Sequence, residues 1–147
     1  MIIISDAGNT YNLAIHLIIK ENYQVIIPKD EDIFVAEKND QSYKADCPLC
    51  LLSIINLKEK ICDDYLQSIH IDSWTLLSIK ELLSCNYNLC INNEYSAKWF
   101  SYVAKKRGVE LIAQNPLKIY GLHLLVSVFG DAWREQNIPN YLHELYK

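Results

Sequence analysis

Cys47-Pro48-Leu49-Cys50 is the one segment in which residue type and spacing together spell a known reaction. Two thiols three positions apart at a predicted strand-to-helix junction are the arrangement of dithiol oxidoreductases of the thioredoxin type. There the helix N-terminus favours the thiolate of the first cysteine, and the second stands within reach to close a disulfide. Asp46 occupies the position where that arrangement usually carries an aromatic residue. The same pair would also make half of a tetrahedral zinc site with Cys85 and Cys90 as the other half, although the second spacing is looser than a zinc ribbon wants. Cys85 and Cys90 flank a predicted strand, where a free cysteine serves equally as a small buried hydrophobe.

Other chemistry is thinner. His16, His70, His123 and His143 fall in separate elements with no acid or hydroxyl at a local dyad spacing, and His16 and His123 sit within apolar helical runs as packing residues. Ala7-Gly8-Asn9 has one glycine where a phosphate cradle needs several. Asp6 ends a strand, a position compatible with a catalytic carboxylate but more often filled by a turn or cap residue. Carboxylates gather in Asp30-Glu31-Asp32 and Asp63-Asp64, with Asp40, Asp46, Asp72 and Asp131 at element ends. On one face they would present a basic partner with complementary charge, and Tyr43, Tyr65 or Trp133 beside them would supply aromatic anchors. As isolated residues they are what turns and caps select.

The elements that position these groups are marked by an internal echo. Ala45-Asp46-Cys47-Pro48-Leu49 running to Leu57 and Ala113-Gln114-Asn115-Pro116-Leu117 running to Leu125 repeat one pattern, strand, polar residue, then Pro-Leu opening an apolar helix. Proline at the first helical position loses no intrahelical hydrogen bond, so both read as helix starts. The second copy holds Asn115 and Lys118 where the first has its cysteines, so the structural task belongs to the Pro-Leu start. Around these units the pattern predicts a strand at Met1–Ile4 and a helix from Tyr11 to Glu21 capped by Asn9 or Thr10. A strand at Gln24–Pro28 follows, then a hairpin of Ile33–Glu37 and Ser42–Ala45 about Asn39-Asp40. It predicts helices over Pro48–Lys60 and Trp74–Leu83, the latter capped by Asp72-Ser73, and a strand at Tyr87–Ile91. Asn92-Asn93 with Glu94 opens a helix to Arg107 stopped by Gly108. The strand Val109–Ala113, the helix Pro116–Phe129, a turn or short helix at Asp131–Glu135 and a helix from Ile138-Pro139 to Tyr146 complete the chain.

The totals agree with one α+β domain over residues 1–147, a short-stranded sheet with a β-hairpin packed against about five helices. The chain has 147 residues, half of them apolar, enough for one sizeable core. A net charge of −4 disfavours nucleic acid and anionic lipid as partners and favours basic proteins. The apolar stretches fall short of the roughly 20 residues a membrane span needs. Five cysteines cannot all pair and no leader pattern opens the chain, so a reducing cytoplasm is expected.

With its strand-helix start, acidic hairpin, Ala45–Leu57 unit, and Gly130-Asp131-Ala132-Trp133 followed by Ile138-Pro139, the chain resembles the small cytoplasmic immunity proteins encoded beside bacterial polymorphic toxins, including those of contact-dependent growth inhibition. The resemblance implies a monomeric or homodimeric antidote without cofactor or catalysis that blocks one cognate toxin domain, often a nuclease. Combined with the acidic balance, it makes Asp30, Glu31, Asp32, Asp63, Asp64, Tyr43 and Tyr65 the expected toxin-binding residues. The alternatives are a thioredoxin-like oxidoreductase using Cys47 and Cys50, and a non-catalytic adaptor or chaperone.

Overall fold

The computed structural model describes residues 1–60, 71–92 and 101–147. Seven strands and five α-helices lie in those segments: β1 (Ile2–Ser5), α1 (Gly8–Lys20), β2 (Gln24–Ile26), β3 (Phe34–Lys38), β4 (Gln41–Ala45), α2 (Pro48–Lys60), α3 (Ile71–Ser84), β5 (Asn88–Asn92), β6 (Ser101–Lys106), β7 (Val109–Ala113), α4 (Pro116–Phe129) and α5 (Tyr141–Leu145), with a 3-10 helix at Gly130–Glu135 before the last. The expected α+β class holds, with the strands divided between two sheets: β1-β7-β6-β5, and the antiparallel β2-β3-β4.

Helix α4 packs on β6 and β7, α2 packs on β3 and β4, and the two helices pack against each other, so the core runs continuously between the sheets. The parallel pair β1 and β7 is registered Ile2 to Val109 through Ser5 to Ile112. Strand β7 alternates, with Val109, Leu111 and Ala113 buried, as a strand with one face on helices requires.

Both Pro-Leu units are strand-turn-helix as read. Asn115 caps α4, its side-chain oxygen accepting the Lys118 N–H at 2.9 Å, and Gly130 closes the helix at φ 56°. Asn22, Asn39 and Asn86 take the left-handed conformation at the ends of α1, the β3–β4 hairpin and α3, where a short amide tolerates it. The Asn39-Asp40 hairpin turn lies between Lys38 and Gln41, which pair.

Four expectations are corrected. Residues 101–107 do not end a helix: Ser101–Lys106 is a strand paired along β7, from Tyr102 opposite Ala113 to Lys106 opposite Val109. Gly108 at φ 81° serves the hairpin turn, a left-handed position that turns and helix stops use alike. The beginning of the expected helix, residues 93–100, lies outside the described residues. Helix α1 starts before Asn9, with Ala7 at its N-cap; the Thr10 hydroxyl reaches back from the first turn to accept the Ala7 N–H at 3.1 Å and donate to the Ala7 carbonyl at 2.7 Å. Helix α3 starts by Ile71, so Asp72 and Ser73 lie within its first turn instead of before it. The last helix opens at Tyr141, where Asn140 and not Pro139 makes the cap by accepting the His143 N–H at 3.2 Å. No helix among the described residues is long and apolar enough to cross a membrane.

Candidate functional site

Because β1 and β7 run parallel, their C-terminal ends open on one side, and the N-termini of α1 and α4 follow directly there. In open sheets of parallel strands this end is where polar side chains converge. Asp6 follows β1, its N–H donating to the Ile112 carbonyl at 3.1 Å. The Lys118 ammonium, in the first turn of α4, donates to Asp6 Oδ2 at 3.0 Å and to Gln114 Oε1 at 3.1 Å. Both side chains of the ion pair are only 11% exposed. Asp6 Oδ1 is sealed from solvent without a well-aligned donor among the described residues. Burial would lower the Lys118 pKa, but the Asp6 bond and the neighbouring Cys47 raise it overall. Asp6 is therefore one half of a buried pair, and its partner was not singled out from the sequence. The two residues are 112 positions apart, a separation across which local spacing carries no signal.

The cysteines meet the same cluster. Cys47 is the capping position of α2: its carbonyl accepts the first helical N–H, from Leu51, at 3.0 Å. Its thiol is pulled down to about 7 by the hydrogen bond donated by the Cys50 thiol, against the effect of burial, with help from the backbone N–H of Cys50, the charge of Lys118 and the N–H of Leu49. The Cys50 thiol is pushed up by the same hydrogen bond, then by burial and the Cys47 charge. The Tyr11 hydroxyl is likewise pushed up by burial, and by Asp6 and Cys47 beside it. Cys47 and Cys50 are 3% and 4% exposed, both with free thiols. The oxidoreductase reading predicts an exposed, acidified Cys47. The thiol is acidified but enclosed. Cys90 is exposed on β5 and Cys85 half-buried. Among the described residues no three His, Cys, Asp or Glu side chains come together in a group able to hold a metal.

The acidic residues are sorted by strand register. Asp30, Glu31 and Asp32 are exposed in the loop that leads into β3, with Asp30 at φ 65°. Phe34 at the start of β3 pairs with Ala45 at the end of β4, so exposed Asp46 falls at the same end of the small sheet. Asp40 lies in the turn at the opposite end. Tyr43 is half-buried, edge-on to Tyr23 with ring centres 6.1 Å apart and under the Lys58 ammonium at 4.9 Å, so it packs within the sheet's helix side. Trp133 is buried in the core. Asp63, Asp64 and Tyr65 lie outside the described residues.

Two histidines behave as packing residues, each with Nδ1 bonded to a tyrosine hydroxyl. His16 Nδ1 is 3.0 Å from the Tyr141 hydroxyl, and His123 Nδ1 is 2.9 Å from the Tyr87 hydroxyl. Burial, then the charges of Lys106 and Lys60, lowers His123 to about 4, so at neutral pH the imidazole is uncharged and its Nδ1 shares a hydrogen bond with the hydroxyl of buried Tyr87. No family model, no curated protein and no solved structure matches this chain.

Proposed function

We propose that this chain is an immunity-type binding protein that neutralises one cognate bacterial toxin domain, a nuclease being the fitting target, by occupying its active cleft. The observation that carries the reading is the acidic end of the small sheet. Asp30, Glu31 and Asp32 are exposed there together, and the register of β3 with β4 adds exposed Asp46. A nuclease attracts a polyanion through a basic cleft, so an exposed acidic loop is complementary to that cleft and raises the rate of encounter. The role requires no catalysis and no cofactor of this chain, and it is exercised in the cytoplasm by a monomer or homodimer. The oxidoreductase alternative has the acidified Cys47 in its favour, but both of its thiols are enclosed.

Co-expression with the polypeptide encoded beside it provides the test. A stoichiometric complex together with rescued growth is the expected result, and absence of both would overturn the proposal. Within such a complex, Asp30→Lys with Asp32→Lys is expected to weaken binding at least about tenfold, a loss of about 1.4 kcal/mol. The thermal midpoint of the free protein should fall only slightly, because both positions are exposed in a loop and only Asp30, at φ 65°, resists a longer side chain. Unaltered affinity would remove this loop from the interface. Turnover of an insulin disulfide by the isolated chain would favour the oxidoreductase.

A further inference from the structure

We propose that Cys47 and Cys50 form a two-electron redox pair that a small peroxide closes into a disulfide within the first turn of α2. This goes beyond toxin binding and stands independently of it.

The geometry has four parts. Cys47 holds the capping position of a 13-residue helix, its carbonyl accepting the Leu51 N–H at 3.0 Å, a place where the unpaired N–H groups of the first turn favour a thiolate. Cys50 stands three residues on in the same first turn, the helix-start spacing from which two cysteines close a disulfide, and both are buried with free thiols. The Lys118 cation, whose charge acts on both thiols, is held in place by its 3.0 Å bond to buried Asp6. Finally, the matching unit at Asn115 and Lys118 builds the same helix start from an amide and an amine. The fold therefore does not need thiols at such a junction.

The chemistry is balanced as follows. The Cys47 thiolate attacks one oxygen of hydrogen peroxide: the S–O bond forms, the O–O bond breaks, and the departing hydroxide takes a proton to become water. The Cys50 sulfur then attacks the Cys47 sulfur: the S–S bond forms, the S–O bond breaks, and the leaving hydroxide carries away the Cys50 proton as a second water. Two thiols and one peroxide become one disulfide and two waters. With both thiols only 3% and 4% exposed, the oxidant that fits is the smallest available, and bulky disulfides are excluded. Lys118 is a positioning residue: its charge favours the thiolate, and Asp6 keeps it there.

The experiment uses the full chain, reduced, exposed to hydrogen peroxide at pH 7, alkylated in denaturant and digested for mass analysis. The expected product is a Cys47–Cys50 linked species two mass units lighter than the dithiol, lost on treatment with dithiothreitol. In Cys50→Ser, Cys47 should instead accumulate as a sulfenic acid that dimedone captures. Should Cys50→Ser fail to fold, the wild-type mass result decides alone. Full alkylation of Cys47 and Cys50 after peroxide, or oxidation of Cys47 to sulfinic acid without a link to Cys50, would overturn the proposal.

Discussion

In the β7–α4 unit the N–H of Lys118 meets the amide oxygen of Asn115, while in the β4–α2 unit the capping position holds a buried cysteine, Cys47, whose carbonyl accepts the Leu51 N–H. One turn on, Lys118 reaches out to Asp6 across the sheet, whereas Cys50 stays buried beside its own helix start with a free thiol. Where the helices cross, the counterpart positions again diverge. Ser53 donates to the carbonyls of Leu49 and Leu117 at 2.9 and 2.7 Å, and Gly121 lies so close that a Cβ there would fall 2.6 Å from the Leu49 oxygen. A shared Pro-Leu start thus fixes the backbone of both units and leaves three side chains on each free to differ. The second unit uses Asn115 and Lys118 to cap its helix and tie it to β1. The first places sulfur at those two positions and uses Ser53 to hold the crossing.

That contrast can be broken at each of the three positions. The largest effect is expected for Lys118→Met, which strands a buried carboxylate at Asp6. Removing one partner of a buried pair costs about 3 kcal/mol or more, read as a lower urea midpoint. A loss below about 1 kcal/mol would show that the pair is solvated and that β1 is not tied to α4 through it.

Gly121→Ala comes next. Alanine inside an exposed helix would add up to about 1 kcal/mol of stability. Here the methyl meets backbone, so the crossing must open, for a net loss of about 2 kcal/mol, while Ser53→Ala should lose about 1 kcal/mol. Stabilisation by Gly121→Ala in thermal unfolding would end the claim of a close crossing.

The smallest effect sharpens the comparison without breaking it. Asn115→Ala should lose about 1 kcal/mol of stability as a missing cap. Cys47→Ala should lose about half as much, since sulfur is the weaker acceptor. Equal losses in chemical denaturation would mean that the thiolate caps as well as the amide does.

How legible these features were depends on how local they are. The starts of α2 and α4 were readable because proline and a polar residue act within one turn, and the β3–β4 hairpin because Asn39-Asp40 separates two alternating runs. The segment ending at Gly108 misled because Lys105-Lys106-Arg107-Gly108 is equally a basic helix end and a strand running into a tight turn. Val109 after the glycine, with Tyr102-Val103 before it, was the signal for a hairpin. The clustering of Asp6, Tyr11, Cys47 and Lys118 was not legible, because parallel pairing of β1 with β7 assembles it across nearly the whole sequence. Nor could the spacing of two cysteines reveal that both would be enclosed.

The pairing of Ile2 with Val109 also bears on how the chain is made. Strand β1 leaves the ribosome long before the strand it pairs with, so its apolar Ile2-Ile3-Ile4 edge waits through most of synthesis. The β2–β3–β4 meander, whose pairings are local, is complete far earlier and can form on the nascent chain. The large sheet closes only once the β6–β7 hairpin has emerged, and until then the first strand stays open to mispairing or to capture by a chaperone.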